Sequence, residues 1–452
     1  MEERENRTRL LCQFLTDLTL ERVGAENIRD IRYKTLDWLG CVIAAQTAPC
    51  AAPLARFTRA EGGAPRATAV GLGERTGAQS AAFYNGILSH ALEYDDTNKI
   101  AITHPGAPVI SAALAAAESL DASFETYALG VAAGYEAMIR LGGAVNPDHY
   151  TYWHTTGTCG AFAAAAAAAK IMGLTAKQTE TAMGIASTMA SGLVYVFGTD
   201  AKLVTVGNAA RNGLAAAELA RLGFTAPEDA FAAPKGYARA AGGKKDLSFM
   251  VPVPGDRLML EDAYYKLHAS CGHTHSALDA LGSLMTEYGV TAGQVQSVEA
   301  RVYRTALELC GAFRTDTEAR AKFSLPFCLA VTLLRGQCTL AEFRPQLRGS
   351  PEVAALAARV HVAEEPSYTA AYPGLRTETV TLRLKDGRVL EKTVDLPEGR
   401  PSRERLEEKF YALAGMAIPR QDAEEILDMV RTLPGPAPVR TLGDLICTLR
   451  RN

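Results

Sequence analysis

Small residues on the apolar faces of successive helices constrain the fold of this chain more than any other feature. Apolar residues recur at helical spacing through roughly the first 250 residues. Alanine and glycine fill many core-facing positions, above all between Ala161 and Ala169. Because small side chains let helices approach closely, we expect a compact multi-helix bundle. The predicted helices are Arg9–Leu20, Ile28–Ala45, Ala107–Leu120, Phe124–Leu141, Gly160–Ile171, Ala176–Met189 and Asn208–Leu222.

The apolar pattern changes after Pro254. Alternation of apolar and polar residues predicts strands over Val298–Arg304, Thr377–Leu384 and Arg388–Val394, the last two joined by Asp386-Gly387, a strong hairpin signal. Helices are predicted between them, over Ala319–Leu334 and Pro351–Val360, and helical spacing returns from Ser402. The predicted fold class is therefore mainly α. A large all-helical domain (1–254 and 402–452) would carry a smaller inserted α+β domain (255–401).

Composition excludes several classes of protein. A net charge of −3 gives no indication of a nucleic-acid-binding surface. Nine scattered cysteines without a C-x-x-C pair argue against a disulfide framework or a zinc ribbon and favour a cytoplasmic location. The run from Ala161 to Ala169 is too short to span a bilayer, and the charged N-terminus lacks a signal sequence, so no membrane partner is expected.

Titratable side chains crowd the segment between Asn85-Gly86 and His104-Pro105. Because Asn-Gly and His-Pro both disfavour helix, much of this segment is predicted to be a loop. Asp95 and Asp96 are adjacent and should point in different directions, and either alone is more simply explained as a cap or a ligand of backbone N–H groups. Together with Thr97, they make His104 a candidate for general acid–base catalysis.

Two further segments of the helical region could contact an anion. Lys202 follows Gly198 in a predicted loop just before the helix at Asn208, where helix N-terminal amides would help to bind an anion. A solvated surface lysine is the simpler alternative. His154 precedes the alanine-rich helix, and the positive end of a helix dipole disfavours its protonation. A neutral His154 could act as a base or a hydrogen-bond donor, or it could be structural.

A histidine-rich segment lies in the predicted α+β region. Lys266, His268, Cys271, His273 and His275 fall within ten residues. A metal site is one interpretation, but no H-E-x-x-H pattern or nearby carboxylate supports it, so recognition of a carboxylate is favoured. No G-x-S-x-G elbow is present, and no G-x-G-x-x-G follows a strand, so neither a serine nucleophile nor a nicotinamide or flavin cofactor is expected.

Several of these segments, in this order, resemble the MmgE/PrpD family. The matching motifs run from Leu36-Asp37-Trp38-Leu39-Gly40 to Lys409-Phe410 and so cover nearly the whole chain. Between them lie Asn85-Gly86 to Asp96-Thr97, His104-Pro105, Gly134-Tyr135-Glu136, Arg140-Leu141-Gly142, His154 with its threonines, Gly198-Thr199 with Lys202, Ser270-Cys271, Thr274-His275, Lys322-Phe323-Ser324 and Gly399-Arg400-Pro401.

The resemblance implies a helical domain, a smaller lid domain, an active site between them and a homodimer. It implies no metal and no organic cofactor, and a small di- or tricarboxylate as substrate. Catalytic roles are expected for His104 (acid–base), Lys202 and His275 (carboxylate binding), Asp95 (orienting His104) and Thr97 (hydrogen bonding to the substrate). Substrate-binding roles are expected for Glu93, His154, Lys266, Cys271, His273 and Phe327.

Four positions depart from the family pattern. Glu93 replaces an aspartate, Thr205 stands where many members have histidine, Phe327 replaces a tyrosine, and Cys271 stands where decarboxylating members carry histidine. The last two disfavour cis-aconitate decarboxylase. The leading expectation is therefore a hydro-lyase similar to 2-methylcitrate dehydratase, with His273 or His154 as a second acid. The alternatives are an epimerase of a dicarboxylate such as iminodisuccinate, a cis-aconitate decarboxylase, and a carboxylate-binding protein without catalysis.

Overall fold

A computed structural model describes residues 6–242, 247–253, 255–395 and 401–449. These residues form two compact units, one within Met1–Tyr265 and Pro401–Asn452, the other within Lys266–Arg400. The first change of unit therefore falls later in the chain than the predicted boundary at Pro254, which lies outside the described residues, as does Gly399-Arg400. The backbones of Thr97 and Tyr264 exchange hydrogen bonds of 2.9 and 2.8 Å, which keeps this stretch with the first unit.

The first unit is built mainly from helices, and every helix predicted there is present. They are α1 (Arg7–Asp17), α2 (Leu20–Val23), α3 (Ala25–Ala44), α4 (Ala51–Glu61), α5 (Ala78–His90), α6 (Gly106–Ser119), α7 (Phe124–Val145), α8 (Thr155–Ile171), α9 (Ala176–Ala186), α10 (Asp200–Arg221), α11 (Tyr237–Ala240), α19 (Arg403–Ala414), α20 (Arg420–Thr432) and α21 (Arg440–Thr448). The unit departs from the predicted all-helical domain in one respect: β1 (Ala67–Ala69) and β2 (Glu74–Thr76) form an antiparallel pair.

Close packing of small residues holds the helices together, as the sequence predicts. A Cβ added at Gly213 of α10 would lie 2.4 Å from the Ala164 Cβ of α8. Where α5 crosses α10, a Cβ on Gly86 would lie 3.0 Å from the Cα of Gly207. Larger side chains at these glycines would force the helices apart.

Two predictions about helix boundaries are wrong because Gly86 and Gly207 serve the close crossing of α5 and α10 and do not interrupt either helix. Asn85-Gly86 lies inside α5 rather than in a loop. The Asn85 side chain accepts from Val70 N (2.9 Å) and donates to Thr68 O (2.9 Å), so it binds the backbone at the end of β1. Gly207 likewise does not interrupt α10, which begins at Asp200 and not at Asn208. Lys202 therefore lies on the first turn of a helix.

The second unit combines helices with one four-stranded sheet. Its strands are β3 (Val295–Val302), β4 (Val360–Glu364), β5 (Thr377–Leu384) and β6 (Val389–Asp395), in the order β4-β3-β5-β6. Only the β3–β4 pair is parallel among the described strands. Its helices are α12 (His275–Tyr288), α13 (Arg304–Cys310), α14 (Glu318–Ala321), α15 (Leu325–Arg335), α16 (Pro345–Arg348), α17 (Pro351–Ala357) and α18 (Pro366–Ala371).

The predicted mainly helical class, with a smaller α+β part, is confirmed. The hairpin turn at Asp386-Gly387 is also confirmed, with Gly387 at φ 92°. The helix predicted over Ala319–Leu334 is wrong in one respect: it is divided into α14 and α15. Pro326 lies in the first turn of α15, where a missing N–H is tolerated, and the Ser324 hydroxyl caps this new start.

No single helix among the described residues is long and apolar enough to cross a membrane. Taken together, α3 (extended to Thr47) and α4 would be long and apolar enough, but they meet at a bend of 102°. All nine cysteines are free thiols, and seven of them are buried.

His149, buried between α8 and Ala241, makes stability depend on pH. Its ring bonds Ala241 O (3.1 Å) and Thr158 Oγ1 (2.8 Å), and burial lowers its pKa from 6.5 to about 4. Because the folded-state pKa is the lower one, the unfolded chain binds the proton more tightly. The part of the unfolding free energy that depends on a neutral His149 is fully present above pH 6.5 and is lost as the pH falls towards 4. We expect His149 alone to remove about 2 kcal/mol of unfolding free energy between pH 7.5 and pH 5.

Urea unfolding at these two pH values tests this expectation. The His149→Gln variant keeps an amide that can donate and accept, but it cannot titrate. Its loss of stability on acidification should be smaller than that of the unmodified chain by about 2 kcal/mol. Equal losses in the two proteins would contradict the assignment.

Candidate functional site

The loop between α5 and α6 is buried although it has little regular structure. It begins after His90 and ends at Pro105, and residues 92–98 are all buried. Glu93 and Ile102 adopt positive φ angles of 54° and 50°, which side chains with a Cβ rarely adopt. Such backbone strain is tolerated where packing enforces it and is common at functional sites. The predicted loop is therefore present, but only from Ala91 onwards.

Asp95 and Asp96 point in different directions, as expected. Asp96 is structural: it accepts from Gly106 N (2.8 Å) at the start of α6 and from Tyr135 OH (2.6 Å). Burial raises the pKa of Asp96. Asp95 instead accepts from His90 Nδ1 (2.8 Å), and its carboxylate lies 3.5 Å from His104 Nδ1. Asp95 is thus the carboxylate that belongs to an imidazole cluster.

His104 is oriented by the backbone of the same loop. Its Nδ1 lies 3.0 Å from Asp96 O, and its backbone N donates to Thr156 Oγ1 (3.1 Å). Because a carbonyl can only accept, Nδ1 carries a proton and Nε2 is the nitrogen that changes protonation. The side chain is 15% exposed, whereas those of His90 and Asp95 are 0% and 2% exposed. Within this group, His104 is the imidazole most accessible to solvent.

Lys202 projects from the first turn of α10 and forms an ion pair with Glu93. Both side chains are buried, at 5% and 7% exposure, and the Lys202 Nζ lies 4.9 Å from the centre of the Phe197 ring. The extra methylene of glutamate, the departure noted in the sequence, reaches this ammonium. A buried lysine paired with one carboxylate can share its remaining donors with an anionic ligand. Lys202 is therefore not the solvated surface lysine of the simpler interpretation.

His154 joins the same cluster from the start of α8. Its ring stacks on His90 at 5.8 Å and meets Phe197 edge-on at 5.0 Å, while His90 and His104 lie 4.7 Å apart. Burial, and next the charge of Lys202, hold the pKa of His154 well below 6.5. Protonation is disfavoured as predicted, although the largest cause is burial.

Thr97 is used within the loop itself. Its hydroxyl donates to Thr103 O (2.9 Å), and its backbone pairs with Tyr264. The hydroxyl proton is therefore engaged within the loop, and the predicted hydrogen bond to a substrate, which stays a prediction, would use Thr97 Oγ1 as an acceptor.

The predicted residues Lys266, Cys271, His273, His275 and Phe327 lie in the second unit, and all are buried. Phe327 is completely buried and packs on Phe343 at 5.6 Å, as a core residue does. His273 Nδ1 bonds Tyr303 OH at 2.6 Å. Cys271 donates its backbone N–H to Lys322 O (2.9 Å).

His275, at the start of α12, differs from its expected role. Its Nε2 lies 3.2 Å from Ser270 O, so Nε2 carries the proton. Burial, and then the neighbouring His268 and Lys266, keep the pKa of His275 well below 6.5. A neutral imidazole whose donor is already engaged does not supply the cation expected for carboxylate binding.

His90, Asp95 and His104 could also hold a metal ion by spacing alone, since one ligand atom of each lies within 4.8 Å of the others. Their hydrogen bonds fit another use of the same residues. The Nδ1 atoms of both rings face oxygen acceptors, Asp95 Oδ2 and Asp96 O. In that arrangement each Nδ1 carries a proton and is not a ligand. These hydrogen bonds define an acid–base cluster, and either ring could bind an ion only through its Nε2.

Sequence reasoning missed three contributors to this site. His90 is the last residue of α5, directly before the loop, but nothing in the sequence showed that its ring reaches Asp95. Asp37 of α3 and Lys409 of α19 form a buried ion pair at 2.6 Å, and Lys409 also donates to Tyr94 O (2.7 Å) beside Asp95. Asp37 and Lys409 both lie in motifs quoted for the family resemblance, but no role was expected for either residue.

Comparisons with known proteins agree with this arrangement of segments. The MmgE/PrpD N-terminal domain matches residues 9–250, and the MmgE/PrpD C-terminal domain matches residues 268–434. A cis-aconitate decarboxylase of Aspergillus terreus is 27% identical over 467 residues, covering 96% of this chain and 95% of the relative. The mouse cis-aconitate decarboxylase is 26% identical, with 78% and 75% coverage. A 2-methylcitrate dehydratase of Salmonella typhimurium is 25% identical over 200 residues, 41% of each chain.

Proposed function

The chain belongs to the MmgE/PrpD family, and from this premise we propose that it is a lyase of a small tricarboxylate that works by proton transfer at a carbon next to a carboxylate. The observation that carries the proposal is the buried cluster of Lys202, His104 and His154 around Asp95 and Glu93. A cation and two imidazoles are the groups that such a reaction needs when no cofactor takes part. The homodimer and the absence of a cofactor stay predictions.

We place decarboxylation of a cis-aconitate-like acid first. Similarity to cis-aconitate decarboxylases extends over nearly the whole chain, which moves this reaction ahead of the dehydration favoured by the sequence. The Phe327 departure weighs less against it, because that ring packs in a core. In the reaction, the C–C bond to one carboxylate breaks and CO₂ leaves with the double bond shifted. The carbon next to a remaining carboxylate then takes one proton, which His104 Nε2 is positioned to supply.

Lys202 would bind a substrate carboxylate in this scheme. Its donors are shared with Glu93, so the ion pair offers a partly neutralised cation rather than a bare one. The developing negative charge next to the carboxylate is stabilised most when the cation is buried and held in place. Asp95 would keep His90 and His104 oriented and would stabilise their protonated forms.

Dehydration of a 2-methylcitrate-like hydroxy acid is the second candidate. A specific observation favours it: burial holds the pKa of His154 well below 6.5, so this imidazole can accept a proton, and Nε2 of His104 would carry the proton to be donated. His104, not His154, would then protonate the departing hydroxyl, because a group whose pKa is held well below 6.5 is a poor acid. This revises the expectation that His154 serves as the second acid.

The products separate these reactions. With cis-aconitate labelled with ¹³C in its carboxyl groups, we expect ¹³CO₂ and a five-carbon dicarboxylate that carries one solvent-derived deuteron in D₂O. With 2-methylcitrate, a hydro-lyase would yield an unsaturated acid and no CO₂. Deuterium exchange without net loss would indicate an epimerase, which iminodisuccinate tests. Binding of an acid without any exchange would indicate a non-catalytic protein, and either result would refute the proposed lyase.

A further inference from the structure

Thr205 on α10 lies against the imidazole of His154. The Thr205 Oγ1 is 2.9 Å from His154 Nδ1 and 2.7 Å from Lys202 O, one turn earlier in the helix. Each contact is short enough to require a proton between its two atoms. The carbonyl of Lys202 has no proton to give, so the hydroxyl proton must lie on that side.

The proton of the other contact must therefore come from the imidazole. With its only proton directed to Lys202 O, the hydroxyl can only accept from His154. Nδ1 carries that proton, and Nε2 of the neutral ring is then the basic nitrogen. Hydrogen-bond geometry alone fixes this tautomer.

Two glycines lie against the Cβ of Thr205. A Cβ added at Gly157 of α8 would lie 2.9 Å from the Thr205 Cβ, and one added at Gly192 would lie 3.0 Å from it. The backbone N–H of His154 donates to Gly192 O (2.9 Å), which ties the histidine to the same loop. The absence of a Cβ at these two glycines therefore lets their backbones approach Thr205 closely.

We propose that Thr205 is a positioning residue that holds His154 as the Nδ1–H tautomer and so makes His154 Nε2 the proton acceptor of the site. The catalytic meaning of this assignment rests on the proposed lyase function, whereas the tautomer does not. In the dehydration of a hydroxy acid, His154 would then remove the proton from the carbon next to a carboxylate, and His104 would protonate the departing hydroxyl. The decarboxylation removes no proton from the substrate and so does not use this base.

The charged groups around His154 agree with a neutral ring. Lys202 of α10 and His90 of α5 disfavour its protonation, and Glu93 from the loop favours it. Burial is the largest cause; it acts in the same direction as Lys202 and His90, outweighs Glu93 and holds the pKa of His154 well below 6.5. The ring therefore remains a base throughout the neutral pH range.

Long-range ¹H–¹⁵N correlation spectra of the full chain, labelled at histidine, test the tautomer without any substrate. In the unmodified protein at pH 7.5, the signals lost in His154→Gln should show a protonated Nδ1 and an unprotonated Nε2. Thr205→Val removes the acceptor with little change of shape, and its His154 signals should move towards the Nε2–H form. Thr205→Ser should retain the original pattern.

A protonated Nε2 in the unmodified protein, or an unchanged spectrum in Thr205→Val, would overturn the proposal. The unmodified spectrum decides it even if one variant fails to fold. Turnover of a 2-methylcitrate-like hydroxy acid, whose dehydration needs a base, provides the second arm: Thr205→Val should lose kcat about tenfold or more, with Thr205→Ser close to normal. A tautomer change with unaltered turnover would leave the proton assignment standing and refute the use of His154 as the base.

Discussion

Replacing His104 with alanine is expected to lower turnover by a factor of ~10²–10⁴ while the fold is retained. The ring is the more exposed imidazole of its group, and its Nδ1 is engaged by Asp96 O, so proton exchange occurs through Nε2. Its removal takes away the proposed proton donor without disturbing Asp96, which anchors α6 through separate bonds. The measurement is kcat on the acid that the unmodified protein consumes, alongside the circular dichroism spectrum and the unfolding midpoint.

His361→Ala provides the matched control for this variant. His361 lies exposed in β4 of the second unit, so its loss should leave kcat unchanged. If His104→Ala turns over the acid as fast as His361→Ala does, then His104 is not part of the chemistry.

Replacing Lys409 with methionine should cost about 3–5 kcal/mol of unfolding free energy, because it leaves a buried carboxylate without its cation. Lys409 Nζ lies 2.6 Å from Asp37 Oδ1 and 4.2 Å from the centre of the Tyr94 ring. Burial raises the pKa of Asp37 to about 6 even with Lys409 beside it, so the uncompensated carboxylate would be costly. Turnover should fall too, because Lys409 also fixes Tyr94 O next to Asp95.

Chemical denaturation measures this cost. Lys385→Met removes an exposed lysine beside the β5–β6 turn and should change stability by less than about 0.5 kcal/mol. The double variant Lys409→Met with Asp37→Leu should regain part of the loss, because it removes both buried charges. A Lys409→Met protein as stable as Lys385→Met would show that the ion pair does not hold the loop.

Predictions from short sequence motifs are correct where the local structure depends on the motif itself. Asp386-Gly387 gives the hairpin because Gly387 adopts a positive φ that glycine allows. The helix predicted from Ala176 does begin there, and Thr175 caps it in a capping box with Gln178. The prediction of a loop at Asn85-Gly86 is wrong because the role of this dipeptide is tertiary: the asparagine bonds the backbone of β1, and the glycine lets α10 approach.

The same distinction applies to the candidate site. Asp95 and His104 could be singled out because they lie within one short loop. The structural roles of Asp96 and Thr97 could not be predicted. Each depends on a partner elsewhere: Tyr135 for Asp96, and Thr103 for Thr97. The pair of Asp37 and Lys409 lies far apart in the chain, and no local rule joins them. His154 was placed at a helix start correctly, but its proton depends on Thr205, which only the packing of α10 against α8 reveals.

Proton NMR in D₂O with cis-aconitate and 2-methylcitrate, comparing the unmodified chain with His104→Ala, tests the central claim most directly. We predict that the unmodified protein consumes one of these acids. We predict also that solvent deuterium is transferred to a cis-aconitate-derived product at a rate ~10²–10⁴ times that of the variant. Neither acid consumed by a folded unmodified protein, or equal rates in the two proteins, would contradict a carboxylate lyase that works through this imidazole cluster.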